Sequence, residues 1–231
     1  MELETFRTLY SPKGDPPILR AWRALLNLFY PLRCAACDKD LPYDSLSRIC
    51  SSCLASVKEI PPEPSLLFVR SCLLYEGVTK ELIRQFKYLE KDYLSESMLP
   101  FLLKEWLRFP EMQTVNIVTS VPAHPVRLRE RGYNQSEVLA RAFAKAAEIS
   151  CLPTLKRIRN TPSQTELSKK DRVQNVRSAF RALDPPSIRG KRVLLVDDVC
   201  TTGATLNECA KTLRRAGSGK VFALTFSRQE F

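Results

Sequence analysis

The stretch Val193–Thr205, VLLVDDVCTTGAT, limits the fold of this chain more than any other part of it. Four aliphatic residues run straight into Asp197 and Asp198, and the segment closes on Thr201, Thr202, Gly203, Ala204 and Thr205. The aliphatic run reads as a strong strand that ends at the two carboxylates. Adjacent carboxylates repel one another, and the turn after them is too polar for a core. Something outside the chain must reward the arrangement. Hydroxyls and backbone N–H groups at the start of a helix suit an anion, with the helix dipole behind them. Gly203 lets the backbone come close. Carboxylates accept hydrogen bonds from a neighbouring pair of hydroxyls. A phosphate beside a vicinal diol is a ribose 5-phosphate, and the stretch suits that ligand.

Glycine positions exclude two other anion sites. The seven glycines stand at 14, 77, 132, 190, 203, 217 and 219. No pair of them supplies GxxxxGK[ST], and 217 and 219 lack the third glycine of a dinucleotide fingerprint. The chain is neither a P-loop nucleotidase nor a Rossmann dehydrogenase.

The rest of the C-terminal half alternates strand and helix. VNIVTSV from Val115 reads as a buried strand, and Val138, Leu139, Ala142, Phe143, Ala146 and Ala147 mark an amphipathic helix. Short strands are expected over 154–159 and 178–183, a strong one at RVLLVDDV, a helix over Ala204–Ala216 and a last strand at KVFALTFS. Upstream, SCLLYEG reads as a strand and Lys80–Tyr88 as a helix. Strand–helix alternation implies a parallel sheet with ligands at the carboxyl ends of its strands.

The N-terminal part is different. Ile18, Leu19, Trp22, Leu25, Leu26 and Phe29 recur at helical spacing until Pro31. Cys34-x2-Cys37 and Cys50-x2-Cys53 follow, separated by twelve residues. Each pair can place two thiolates on one tetrahedral ion, and four thiolates close the site to water. The reading is a structural zinc, with paired disulfides as the alternative. Cys72, Cys151, Cys200 and Cys209 have no such spacing and read as ordinary thiols. IPPEPS, from Ile60, reads as a linker. The expected division is therefore a helix and zinc module over 1–60 and an α/β domain over 61–231.

Charge is lopsided. Residues 121–192 carry 16 basic and 6 acidic side chains, net +10, out of +11 for the whole chain. That favours phosphate or nucleic acid as a partner over an ordinary solvated surface. The apolar run Ala24–Leu32 is far shorter than the ~20 residues a membrane span needs. Glu2, Glu4 and Asp15 precede any apolar stretch, so a cytoplasmic location is expected.

VLLVDDVCTTGAT resembles the phosphoribosyl-pyrophosphate (PRPP) loop of type I phosphoribosyltransferases. A narrower resemblance, to the ComF (ComFC- or GntX-like) family, runs through the CxxC pairs, YEGVTKELIRQFKY, VPAHPVRLRERGYNQSEVLARAF and QTELSKKDRVQNVRSAF. Only about the first fifteen residues lie outside it. The resemblance implies a type I phosphoribosyltransferase fold with a small four-cysteine zinc module. It implies that Asp197 and Asp198 hold ribose hydroxyls and that Thr201–Thr205 hold the 5-phosphate. Mg2+ would accompany PRPP. Ala123 and His124 would form the pyrophosphate loop, with Arg127, Arg129 and Arg131 adding charge. Gln164–Arg177 would be the loop closing over PRPP, turning Lys169, Lys170 and Arg172 to the phosphates.

Two functions follow, from different classes. One is a PRPP-binding protein serving competence and DNA uptake in the cytoplasm, binding single-stranded DNA and other transformation proteins such as a helicase or a recombination mediator. The net +10 segment favours it. The alternative is an active phosphoribosyltransferase passing ribose 5-phosphate to an unidentified acceptor, which the intact loop favours. Some purine-using relatives carry a carboxylate base where this chain has Thr201.

Overall fold

Period-two alternation along the strongest strand builds the molecule. In β8 (Val193–Cys200), Leu194 and Val196 enter one apolar cluster, while Val193 and Leu195 enter another on the opposite face. A strand buried this way needs helices on both sides. The computed structural model, which describes residues 25–26, 31–45, 47–61, 68–87, 91–159, 174 and 176–229, supplies them.

Five parallel strands form the sheet, in the order β3 (Val69–Leu74), β9 (Val221–Arg228), β8, β4 (Ile117–Ser120), β5 (Ser150–Cys151). Registers Ser120↔Val196 and Asp197↔Thr225 bring the carboxyl ends of the three central strands to one edge. One face is covered by α2 (Gly77–Lys87), α3 (Leu94–Leu107) and α5 (Gln135–Ala146), whose Phe86, Met98, Leu102, Leu139 and Phe143 are fully buried. The other is covered by α7 (Ala204–Arg215) through Leu206, Cys209, Ala210 and Leu213. The short α4 (Pro125–Arg131) and α6 (Pro185–Ile188) join these layers. Outside the sheet, β6 (Leu155–Arg157) pairs antiparallel with β7 (Phe180–Ala182).

The cysteine region holds β1 (Leu32–Arg33), β2 (Asp40–Leu41) and α1 (Ser51–Ala55). It does not stand apart. Cys34, Leu41, Ile49, Cys50 and Cys53 share one apolar cluster with Leu94, Met98 and Leu99 of α3. The Arg48 N–H donates to Ser97 Oγ at 2.8 Å, and its guanidinium lies 5.1 Å from the centre of the Tyr93 ring. The chain then runs beside β3, with the Leu74 N–H on Lys58 O at 2.8 Å and the Ile60 N–H on Cys72 O at 3.1 Å. Ile60, the first residue of the expected linker, is buried at the sheet edge, and residues 62–65 of that linker lie outside the described residues.

The helix expected over 18–29 lies outside the described residues, except that Leu25 and Leu26 are helical. The loop expected at Gln164–Arg177, with Lys169, Lys170 and Arg172, lies outside them except for Gln174, Val176 and Arg177. Among the described residues, no helix is long and apolar enough to cross a membrane.

Candidate functional site

Three segments meet at the carboxyl edge of the sheet. The first is the end of β8, where Asp197 and Asp198 are both buried. Asp197 Oδ1 accepts the Ser136 hydroxyl at 2.6 Å and the Asp198 N–H at 3.0 Å. Asp198 Oδ2 pairs with the Lys87 ammonium at 2.8 Å. Burial, and after it the neighbouring Asp198 charge, push the Asp197 carboxyl up to about 7; Ser136 and Lys87 pull the other way. A group that holds its proton more tightly when folded contributes stability at low pH and loses it as pH rises through its folded pKa. Without ligand, the melting temperature should therefore fall between about pH 4 and pH 7 through this group. Asp197→Asn should flatten that part of a melting-temperature profile; an unchanged slope would remove Asp197 as its source.

The second segment is the turn after β8. Gly203 caps α7 with φ 71°, a left-handed conformation that a side chain would strain. Thr202 Oγ1 accepts the Ala204 N–H at 3.4 Å, and the Asn207 N–H reaches Gly203 O at 2.9 Å. A small hollow here is lined by Asp197, Thr201, Gly203, Ala204 and Thr205. First-turn N–H groups lack intrahelical acceptors, so this hollow suits an anion. Cys200 beside it is a buried thiol pushed up to about 11, chiefly by burial, and unsuited to nucleophilic attack.

The third is the loop from Val121 to His124 between β4 and α4. The Val121 N–H donates to Val196 O at 3.1 Å, and Val121 O accepts from Asn134 Nδ2 at 3.1 Å. Ala123 is partly buried in the loop. His124 caps α4, its Nδ1 accepting the Val126 N–H at 3.2 Å. Partial desolvation, followed by the positive charges of Arg157 and Arg129, holds its pKa below the usual value. Arg129 is exposed; the side chains of Arg127 and Arg131 lie outside the described residues.

Neither Ser136 nor Lys87 is marked by residue type or spacing as a site residue, although both lie in the motifs RGYNQSEVLARAF and YEGVTKELIRQFKY. Their link to the carboxylates exists only in the folded chain.

The four cysteines form a separate centre. Their sulfurs all lie within 4.8 Å of one another, and Cys37 Sγ is 3.7 Å from Cys50 Sγ. A tetrahedron with ~2.3 Å zinc–sulfur bonds has sulfur–sulfur edges of about 3.8 Å. A disulfide would bring two sulfurs to about 2 Å, and these cysteines are free. The Cys50 N–H donates to Cys34 Sγ at 3.3 Å and the Cys53 N–H to Cys50 Sγ at 3.5 Å, contacts that favour thiolates. The Ser52 hydroxyl and then the Cys53 N–H lower the Cys50 thiol to about 6. The set fits one tetrahedral soft-metal ion.

Comparison with known proteins shows what the chain is similar to. The phosphoribosyl transferase domain model matches residues 133–229. Competence protein F of Haemophilus influenzae is 31% identical over 189 residues, covering 80% of this chain and 79% of that protein. DNA utilization protein YhgH of Escherichia coli K12 is 32% identical over 176 residues, 74% of each chain. Among solved structures, glutamine PRPP amidotransferase from B. subtilis matches with a TM-score of 0.41 and 23% identity, over 61% of this chain and 30% of that one. With identity of this level across most of its length and a four-cysteine cluster beside a parallel α/β sheet, the chain belongs to the ComF family of phosphoribosyltransferase-fold proteins.

Proposed function

We propose that the protein binds PRPP, or a related ribose phosphate, at the carboxyl edge of the sheet and acts in DNA uptake by also binding single-stranded DNA in the cytoplasm. The observation that carries the ligand is the buried pair Asp197 and Asp198 directly before the Gly203 turn and the start of α7. A diol acceptor next to an anion cradle matches ribose 5-phosphate. Ala123 and His124 follow the neighbouring strand β4, and in this reading they would meet the pyrophosphate. Mg2+ suits the hard oxygen donors of this edge and of the ligand, and when bound it neutralises pyrophosphate charge. Asp197 and Asp198 orient the ribose, and the turn fixes its phosphate. Thr201 supplies a hydroxyl and no carboxylate base, so transfer to an acceptor would fall to acceptors that need no strong base.

The DNA-handling part rests on charge and on relatives named for competence and DNA utilization. One PRPP molecule does not require a 72-residue segment of net +10. Lys169, Lys170 and Arg172 are three of the 16 basic side chains that make up that charge. Phosphate-driven binding should weaken by about 0.7 log units per contacted phosphate for each tenfold rise in salt, with little sequence preference. Fluorescence anisotropy of a labelled oligonucleotide across salt concentrations measures this. Alanine at Arg127, Arg129 and Arg131 should flatten the slope, while Asp197→Asn should not. No binding by the wild-type protein at low salt would leave the plain transferase as the better reading.

A further inference from the structure

Beyond the two aspartates, one cation is built into the ribose end of the site. Lys87 is the last residue of α2, yet its ammonium sits 2.8 Å from Asp198 Oδ2. Its side chain is 23% exposed, so it is only partly covered by the fold. The backbone beneath it is fixed by a single run, Tyr133–Ser136. Tyr133 donates its hydroxyl to Phe86 O, and Gln135 Nε2 donates to Lys87 O at 3.4 Å, so two carbonyls at the end of α2 are capped by side chains. The same run holds Val121 O through Asn134 and Asp197 Oδ1 through Ser136. Four consecutive residues thus join the end of α2, the Val121–His124 loop and the end of β8.

Such a clamp is more than a helix end requires. Ionising two adjacent buried carboxylates is costly without a nearby positive charge. A carboxylate oxygen has two lone pairs, so Asp198 Oδ2 can accept from an ammonium and a hydroxyl together.

We propose that Lys87 is a ligand-positioning residue of the ribose phosphate site, a resident cation whose ion pair with Asp198 holds that carboxylate aimed at a ribose hydroxyl. The Tyr133–Ser136 run holds it in register with the other two segments. This rests on the PRPP reading above and adds a residue that reading does not contain. The ammonium stays on Asp198 when ligand binds, so its effect falls on the ribose hydroxyl and not on the phosphate held by the turn.

Calorimetry of the whole, metal-loaded protein tests the assignment, with ribose 5-phosphate and inorganic phosphate as separate probes. Lys87→Met should weaken ribose 5-phosphate by about tenfold, the scale of one charge-assisted contact. Inorganic phosphate, held by the turn alone, should change much less. Lys87→Arg should recover part of the loss, which a merely space-filling role would not produce. Tyr133→Phe, which keeps the ring against Phe86 and removes only the hydroxyl, should shift ribose 5-phosphate in the same direction by a smaller factor. Tighter binding by Lys87→Met would show that the lysine obstructs the site, and equal binding would show that it is structural; either overturns the inference while the PRPP reading stands. Failure of the wild-type protein to bind either probe or PRPP would overturn both.

Discussion

Cys34→Ser protein should carry no zinc, whereas the wild-type protein should carry roughly one ion per chain in metal analysis. The consequence should be large but local. Structural zinc contributes about 10 kcal/mol or more of binding energy to small modules that do not fold without it. The described residues of 31–57 contain two two-residue strands and a five-residue helix, too little to persist alone. Hydrogen exchange should therefore lose its protection there first. The loss should also reach α3, because Ser97, Tyr93, Leu94 and Met98 hold the module against the sheet. If those contacts are worth roughly 2 kcal/mol, the melting temperature falls by about 4–8 °C. Protection in β8 and β9, which have partners on both sides, should survive. Chelator treatment of the wild-type protein should reproduce the pattern. Metal-free protein with unaltered exchange over 31–57 would contradict the zinc centre.

Asp197→Asn with Asp198→Asn should abolish measurable PRPP binding in calorimetry. Each substitution removes a charge-assisted acceptor worth roughly 1.5–3 kcal/mol, so the pair should cost about a hundredfold or more. Stability should move differently. Asp197 is raised by burial and by the neighbouring Asp198 charge, so neutralising it relieves repulsion in the empty site. Asp198→Asn instead strips Lys87 of its carboxylate. The first single variant should melt no lower than wild type at pH 7, and the second should melt lower. A folded double variant with wild-type PRPP affinity would remove the ribose from this site.

Much of this was legible in the chain because it is written locally. β8, α7 and β9 are single runs whose apolar period and flanking turn decide their type, and the structure has them within a residue or two of expectation. The four cysteines converge as their doubled spacing demands. By contrast, α3 left no readable signal. Its sequence LSESMLPFLLKEWL is apolar on most sides and carries Pro100 inside the helix, which hides an amphipathic period and argues for a break. β5 has two residues, too few for any pattern. The antiparallel pairing of β6 with β7, apart from the parallel sheet, could not be read from two three-residue segments in which basic and apolar residues mix. At the site, Asp197, Asp198 and the Gly203 turn stood in one motif. Lys87 and Ser136 approach it only through folding, Ser136 from 61 residues away in sequence. What signal existed was a polar run, YNQS, at the start of an otherwise amphipathic helix, and there Asn134 and Ser136 read equally well as ordinary helix-start residues.

Isothermal titration of the zinc-loaded wild-type protein with PRPP and Mg2+ tests the assignment of the carboxyl edge most directly. Saturable binding of about one PRPP per chain is expected, lost in the Asp197→Asn, Asp198→Asn variant and competed by ribose 5-phosphate. Absence of heat and of competition at millimolar PRPP, with the protein folded and metal-loaded, would contradict it.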